Sequence, residues 1–480
     1  MKEMLSSSSA SITMIILAAG RSTRFGLRTS KLAFPVCGRA LVLYPLTIAQ
    51  KLTLPTLVVT GYQKELITQL IHDNSSGNVV CIEQSEQRGT GHAVLCALTH
   101  VSTDYVLIMN GDMPLVTSSL IQELIELQKK DDATIAFVIA ECPDADHSYG
   151  TVVEQQGSVA IVEARDLKGA APGRTINAGI YLIEKNFLNR AMKDLMTHEN
   201  HEIYITDIIA RASAAREKIS MLTADYTLVR GINTMYELAA AEKIMRRSYI
   251  DEWMKKGVYF ENPETTIIDY DVTIGQGSRI GSGVHLLHGS SIGDYSVIGH
   301  DSTIESSHIA DEVTIRPYCV ISRSEIYDQA IIGPFAHLRD VHSVHEKGTI
   351  GNFVEVSNST IGASSKAKHL AYIGNATIGQ MVNIGAGTIT CNYDGVRKNI
   401  TVIEDHVKVG SNNSLVAPVT LGRHAMTGAG SVITEDIPPF ALGIARTHQI
   451  NKEHYVHRLN EPKSFIGAVK TGTTEPSEKK

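Results

Sequence analysis

Gly20, Arg21, Arg24, Arg28 and Lys31 stand close together, directly after an apolar run from Met14 to Ala19. Main-chain N–H groups beside a glycine turn cradle phosphate oxygens, and converging cations neutralise their charge. The apolar run has the length and composition of a buried parallel strand. The loop therefore leaves the carboxyl end of a strand, where open α/β sheets bind ligands. A polyphosphate site is the chemistry this pattern points to. Two common phosphate loops do not fit. Ser22 stands where a G-x-G-x-x-G loop needs its second glycine, and no Gly-Lys-Ser/Thr closes a P-loop. An ordinary basic loop between strand and helix would also carry these cations.

Other residues are ambiguous alone. Asp112 follows a second apolar run, Tyr105 to Met109, and reads as a turn residue. Gln84-Ser-Glu-Gln87-Arg-Gly89-Thr90-Gly91-His92-Ala93 reads as a glycine turn in which Thr90 caps a helix. Thr234-x-x-Glu237 is a capping box, with Asn233 as part of the cap. His369 alone reads as a surface histidine. His337, His342 and His345 have a spacing that suggests a metal cluster, but unligated surface histidines account for them. No G-x-S-x-G nucleophile elbow occurs.

Two different periods organise the chain that must position these residues. Up to about residue 230, strand-like runs (Thr56–Thr60, Val79–Ile82, Tyr105–Met109, Thr134–Ile139) alternate with helix-like segments, which predicts a mostly parallel sheet covered by helices. A helix follows to about Lys256, with Met235, Leu238, Met245, Tyr249 and Trp253 as a partial apolar stripe that packs as an arm between domains. Beyond residue 265 the period becomes six. Ile-Gly pairs run from Ile274-Gly275 to Ile298-Gly299 and resume at Ile332-Gly333, continuing to Leu421-Gly422. A hexad cannot be an amphipathic helix; it is the signature of a parallel β-helix. The ladder breaks between Ile361 and Ile373 and again at Thr390–Lys398, and breaks in a solenoid are where function is inserted.

The 480 residues allow two or three domains, and a net charge of −7 argues against a general nucleic-acid or membrane binder. Six scattered cysteines without a C-x-x-C pair fit a reducing compartment and hence a cytoplasmic protein. No segment reads as a membrane span or a cleavable leader. The expected division is a disordered 1–11, an α/β domain over 12–232, a linker helix over 233–257, a β-helix over 258–455 and a flexible tail over 456–480.

The first loop resembles the L-A-A-G-x-G-T-R-…-P-K signature of sugar-nucleotide pyrophosphorylases, with Ser22 for the second glycine and Ser30 for the proline before Lys31. The hexads resemble left-handed β-helix acyltransferases. Together, residues 12–455 resemble the bifunctional N-acetylglucosamine-1-phosphate uridyltransferase/glucosamine-1-phosphate acetyltransferase family. That resemblance implies a Rossmann-like α/β nucleotidyltransferase domain followed by a left-handed parallel β-helix in a homotrimer. It implies UTP and acetyl-CoA as cosubstrates and Mg2+ held by Asp112 and Asn233, in a reaction that needs no nucleic acid and no membrane insertion.

By the same resemblance, Leu17, Ala18, Ala19 and Gly20 with the catalytic cations Arg24 and Lys31 surround the nucleotide. Gln84, Gly89 and Thr90 meet uracil, and Gly150, Glu163, Asn177 and Asn233 meet the sugar nucleotide. His369, in Lys366-Ala-Lys-His369-Leu-Ala-Tyr372-Ile-Gly374, becomes the general base for acetyl transfer. Arg339, Ser357, Tyr372, Asn383 and Lys398 fall at positions that hold the amino-sugar phosphate. Ala386, Asn392, Tyr393, Ser411, Ala429 and Arg446 fall along the acetyl-CoA groove. Four further departures stand out: Asn110 and Ile203 each replace a tyrosine, Ser357 a phosphate-binding lysine, and Asp340 a proline, while Lys368 offers a cation beside His369 that could compensate for Ser357. Two other readings remain at this point. One keeps nucleotidyl transfer and leaves the β-helix only to trimerise the chain, and the other is a non-catalytic subunit.

Overall fold

The computed structural model describes residues 11–21, 25, 29–75, 78–143, 149–155, 157–166, 173–196 and 202–460. Residues 1–10 of the proposed disordered start (1–11) and the last twenty residues of the proposed tail lie outside these, as do Ser22, Arg24 and Arg28.

The apolar run forms β1 (Ile12–Ala18), followed by β2 (Thr56–Thr60), β3 (Val79–Glu83), β4 (Tyr105–Asn110), β5 (Ile135–Glu141), β6 (Thr151–Gln155), β7 (Ser158–Val162), β8 (Thr175–Glu184) and β9 (Ile219–Ala224). They lie in the order β9-β5-β8-β4-β1-β2-β3, with the β6–β7 hairpin joined to β8. β1 is parallel to both β2 and β4, while β8 runs antiparallel between β4 and β5. Apolar clusters cover both faces, and Met14, Ile15 and Ile16 of β1 are fully buried. The strand order reverses at β1, so a crevice opens beyond the carboxyl ends of β1 and β4, where the glycine loop and Asp112 emerge.

The linker helix spans Met235–Lys255 behind an intact Thr234/Glu237 capping box. Leu238, Ala241 and Met245 pack with Val36, Leu41 and Tyr44 of the first domain, and Ile250, Tyr249 and Trp253 join the β-helix core. Met235 does not belong to the stripe, because it sits at the first helical position and is exposed.

The β-helix has three parallel ladders, of eleven, ten and nine strands. Its axis is filled by Ile, Val and Leu, all but closed to solvent. The hexad ladder is continuous from 299 to 332, contrary to the sequence reading. Thr273 pairs with Ser291 three hexads on, but Ser291 pairs with His308 one residue short of that, and His308 with Glu325 likewise. The shortened turns are closed by buried serines. Ser307 Oγ donates to Glu305 O at 2.7 Å and accepts from Ser324 N–H at 3.1 Å, and Ser324 Oγ donates to Ser322 O at 2.8 Å and accepts from Val341 N–H at 3.2 Å. One residue drops out of a corner while every aliphatic still reaches the axis.

The first of the two expected breaks is also not one. Lys366–His369 is an ordinary strand in which Ala367 takes the inward place, in register with Ile350 above and Ile384 below. Coils pack closely here: a Cβ on Gly351 would collide with the Lys368 carbonyl. The second break is a true insertion, since strand Ala376–Ile378 pairs across it with Thr401–Ile403. Asp394 clamps the inserted loop by accepting from Val396 N–H and Arg397 N–H, both at 2.8 Å, and from Asn399 Nδ2 at 3.0 Å. Tyr455–Asn460 is a short helix where a flexible tail was expected to begin.

Gly351→Ala is expected to lower β-helix stability by about 1–3 kcal/mol through overpacking, read as an earlier melting transition by circular dichroism. The hydrogen bonds to Asp394 hold its carboxyl at about 2, below its ordinary value. A depressed acid stabilises above its unfolded value, so the clamp is complete above about pH 4 and is lost as pH falls toward 2. Asp394→Ala removes it at all pH values, and limited proteolysis at neutral pH is expected to cut first between 392 and 399.

Candidate functional site

Two connected chambers lie beyond the ends of β1 and β4, of about 420 and 210 Å3, sharing Leu17, Thr90, Asn110, Asp112 and Asn233. Ala19, Gly20, Arg21, Lys31, Gln84 and Gly89 line the first, and Tyr149, Gly150, Glu163 and Asn177 the second. The nucleotide and sugar residues expected from the sequence are thus brought to one cleft, with two exceptions. Ala18 turns its side chain into the sheet core, because alternate residues of a strand face opposite ways. Arg24 lies outside the described residues. Sequence reasoning missed Glu202 as a lining residue and the role of Gln87, whose Nε2 donates to Ala19 O at 2.9 Å and ties the base loop to the glycine loop.

Lys31 sits in a short 3-10 turn, Lys31–Ala33, capped by Ser30. Ser30 takes a φ of −56°, which suits the family's proline, and its N–H donates to Gln63 Oε1 at 2.7 Å, a bond proline could not make. The departure at 30 therefore keeps the backbone and adds a tether. Lys31 Nζ donates to Asp112 Oδ2 at 2.5 Å, Ile232 O at 2.7 Å and Asn233 Oδ1 at 2.9 Å. All three ammonium protons are committed, two of them to the residues expected to hold a cation. Asp112 Oδ1, beside them, is buried without a hydrogen-bond partner among the described residues. Asn233 is aimed by the capping box, whose Glu237 carboxylate accepts from both Asn233 N–H (2.7 Å) and Thr234 N–H (2.8 Å).

The base loop is held against the segment before the helix Asp207–Ala214. Gly89, at φ +99°, has no room for a Cβ against Ile203 O, so glycine is required there. Thr90 is not the helix cap; Gly89 is, and Thr90 Oγ1 accepts instead from Ile205 N–H at 3.1 Å. In the second chamber the β8–β5 register shifts between Asn177 and Tyr181, and such bulges re-aim side chains. Asn177 Nδ2 donates to Tyr181 Oη at 2.6 Å and its Oδ1 accepts from Gly179 N–H at 3.1 Å. Glu163 Oε1 accepts from Thr206 Oγ1 at 2.7 Å, which steadies its carboxylate at the chamber wall.

On the β-helix, His369 Nδ1 bonds Asn352 Oδ1 at 2.9 Å. An amide oxygen only accepts, so Nδ1 carries the proton and Nε2 keeps a lone pair, as a general base requires. The corner that follows His369 continues through Ala386, Ser411 and Ala429 in successive coils. Gly387 N–H donates to Leu370 O, Asn412 N–H to Ala386 O and Gly430 N–H to Ser411 O. Arg446 joins this edge through a 2.7 Å bond from Nη1 to Ala429 O.

The remaining residues expected around the amino sugar and CoA do not lie on that edge. Arg339, Ser357 and Gly374 form a row on the second face, beside its other corner, with Tyr372 Oη and Asn392 Nδ2 crowding Gly374. Asn383 is on the first face between Lys366 and Lys408, and Tyr393 and Lys398 are on the inserted loop. Ser357 is buried, accepts from Asn358 Nδ2 and presents no cation. Lys368 does not replace the missing lysine, since its strand lies on the first face. Arg339 Nη2 donates to Glu355 Oε1 at 3.0 Å, and Asp340 is held by Arg323 at 2.6 Å, which lowers its carboxyl below the usual value. Among the described residues no group of three or more His, Cys, Asp or Glu could hold a metal, and His345 stacks on Tyr327.

Residues 14–245 match the family of MobA-like NTP transferase domains, and residues 271–306 match the bacterial transferase hexapeptide family of six repeats. The chain is 39% identical over 452 residues to the bifunctional protein GlmU of Geotalea daltonii, covering 92% of this chain and 98% of that one. It is 38% identical over 447 residues to the protein of the same name from Thermotoga maritima, with the same coverage. A third relative of that name, from Halalkalibacterium halodurans, is 36% identical over 454 residues, covering 93% and 98%. Likeness at this level, across both domains and nearly the whole length of each relative, means that the chain belongs to the bifunctional GlmU family and is an enzyme of UDP-N-acetylglucosamine synthesis with an acetyltransferase and a uridyltransferase activity.

Proposed function

We propose that the two transfers occur at the two separated sites just described. In the cleft, an oxygen of N-acetylglucosamine 1-phosphate attacks the α-phosphorus of UTP, the bond to the β-phosphate breaks, and pyrophosphate leaves with its electron pair. Such a reaction depends on positioning and charge neutralisation rather than on a protein nucleophile. Gly20, Arg24 and Lys31 serve the phosphates, Leu17, Ala19, Gln84, Gly89 and Thr90 the nucleoside, and Gly150, Glu163 and Asn177 the sugar. The observation that carries this reading is the convergence of Lys31, Asp112 and Asn233 from three distant segments on one point of the cleft.

An unsatisfied, buried carboxylate oxygen and an amide oxygen suit Mg2+, which takes few protein oxygens and fills its shell with water and phosphate. Asp112 and Asn233 would hold it, and when bound it neutralises charge on the phosphates. Lys31 and the cation would share Asn233 Oδ1, so a bound cation would release that bond of Lys31 toward the phosphates.

On the β-helix, His369 Nε2 accepts a proton from the amine of glucosamine 1-phosphate as the nitrogen attacks the acetyl thioester carbon. The C–S bond then breaks, and CoA leaves as a thiolate that takes up a proton. Because the residues assigned to amino sugar and CoA divide between two corners of one β-helix, a complete site requires a neighbouring copy, and a homotrimer supplies one at each edge. Free thiols at all six cysteines and the absence, among the described residues, of a helix able to cross a membrane support a cytoplasmic setting. The buried Ser357 favours a weakened hold on the amino-sugar phosphate, and so a raised KM for glucosamine 1-phosphate.

The purified chain with glucosamine 1-phosphate, acetyl-CoA, UTP and Mg2+ is expected to release both CoA and pyrophosphate, and silence in both assays would overturn this reading. Asp112→Asn or removal of divalent ions with a chelator is expected to cut pyrophosphate release about a hundredfold or more and to spare CoA release. His369→Ala is expected to do the reverse, with a loss of about 10²–10⁴-fold in CoA release. Equal loss of both activities in either variant would contradict separate sites. Sedimentation of a species other than a trimer would remove the shared-site argument.

A further inference from the structure

We propose that His92 is a positioning residue for nucleobase recognition. It fixes the Gln84 amide in the orientation that presents a carbonyl oxygen to the cleft, favouring a base with a ring N–H, such as the imide of uracil, over one with a bare ring nitrogen, such as cytosine. This rests on the reading of Gln84 as a base contact.

Gln84 follows β3 and lines the first chamber, yet it is almost wholly buried. Its Nε2 lies 3.0 Å from Gly89 O and 3.1 Å from His92 Nδ1. A main-chain carbonyl can only accept, so the amide nitrogen must face Gly89. One amide proton is used there and the other is directed at His92 Nδ1, which therefore contributes its lone pair. The imidazole proton falls on Nε2, on the side of Cys96 Sγ, 4.0 Å away and one turn along the helix Thr90–Leu98. Both donors of the glutamine are thus consumed inside the protein. Oε1 accepts no hydrogen bond among the described residues and is the polar atom left for a ligand.

Uracil offers an N–H at its ring edge to such an oxygen; cytosine offers a lone pair, which repels it. Turning the amide over to suit cytosine would set Oε1 against the Gly89 carbonyl and against the His92 lone pair. His92 can change tautomer only by giving up its proton toward Cys96. With His92 gone, one of the two restraints on the amide disappears, while the peptide carbonyl remains. A site built around a fixed hydrogen-bonding group rejects the mismatched partner strongly, and loosening the group weakens that rejection.

The test is nucleotide preference in pyrophosphate release, measured on the full chain with Mg2+ and N-acetylglucosamine 1-phosphate. His92→Leu is expected to raise KM for UTP about five- to tenfold with kcat within about twofold, and to shrink the UTP-over-CTP preference in kcat/KM about tenfold. His92→Gln restores an acceptor facing Gln84 and is expected to recover most of both losses. CoA release and the melting temperature of each variant serve as folding controls, because neither depends on the base site. The proposal is overturned if His92→Leu lowers kcat/KM for UTP and CTP by the same factor, if it changes neither, or if His92→Gln does no better than His92→Leu. Gln84→Met separates the underlying reading: an unchanged KM for UTP in that variant would remove the base contact itself, and the role of His92 with it.

Discussion

The bond set around Lys31 Nζ is the constraint on which the first domain is built. An ammonium and a carboxylate, each about 15% exposed, face each other in a cleft where water screens them poorly. Removing either partner from such a pair leaves an uncompensated buried charge, which is far more costly than the pair is worth in stability. The contact therefore demands that three chain segments arrive together. β1 must end at Ala18 so that the glycine loop returns Lys31 to the cleft. β4 must lie beside β1 in the register that sets Leu17 against Asn110, which places Asp112 just beyond. The chain must then enter the linker helix so that Ile232 O and Asn233 face inward. A polar assembly of this kind specifies geometry more than it adds stability, and that is what phosphoryl transfer requires of a protein.

The β-helix solves a different problem. His369 lies on a corner and needs no buried charge to hold it; what it needs is a constant rise from coil to coil. Aliphatic side chains at the axis supply that rise, and the corners absorb irregularity. A coil can lose a residue, as between Ser291 and His308, and buried serines at that corner still link coil to coil, Ser307 N–H donating to Ser290 Oγ and Ser324 N–H to Ser307 Oγ. It can also accept an insertion, as at residues 392–399, because the strands on either side still pair. His369 is set by its register with Asn352 one coil above, not by any contact along the sequence.

These two modes of construction explain which features could be read in advance. The parallel sheet and the linker helix were legible because apolar runs of strand length and a Thr-x-x-Glu box have few other uses. The site residues after β1 and β4 were legible only through motif resemblance, since Asp112 alone looks like any turn residue. The supposed gap in the hexads from 299 to 332 arose because the strict Ile-Gly pairing weakens in the shortened coils, where Ile304, Ile309, Ile315, Ile321 and Ile326 still fill the axis. Ala367 reads as a break because no Ile-Gly pair falls there, whereas the fold asks only that a small or apolar group point inward. Ser30 was ambiguous for a related reason: the backbone angle it shares with proline is invisible in the sequence, and its tether to Gln63 comes from a distant helix cap. The division between two corners of the residues expected to serve acetyl transfer could not be foreseen, because a list of positions carries no information about which face of a coil each occupies.

The linker helix joins the two modes, and its first turn has a consequence for the cleft. Glu237 uses one carboxylate oxygen to accept from Asn233 and Thr234, so the direction of Asn233 Oδ1 is tied to the direction of the helix axis. That axis is set at its far end by Tyr249, Ile250 and Trp253 in the β-helix core and at its near end by the packing of Leu238, Ala241 and Met245 on the first domain. A second clasp reinforces this arrangement. Tyr270 N–H of the β-helix donates to Cys37 O at 3.0 Å, and the Arg39 guanidinium stacks 4.8 Å from the Tyr270 ring centroid. Among the described residues the β-helix contributes none to the cleft, so it acts there through orientation. The dependence is one-way: His369 and Asn352 lie on a scaffold templated coil by coil, so disturbing the start of the helix would misdirect Asn233 and leave the acetyl-transfer corner as it is.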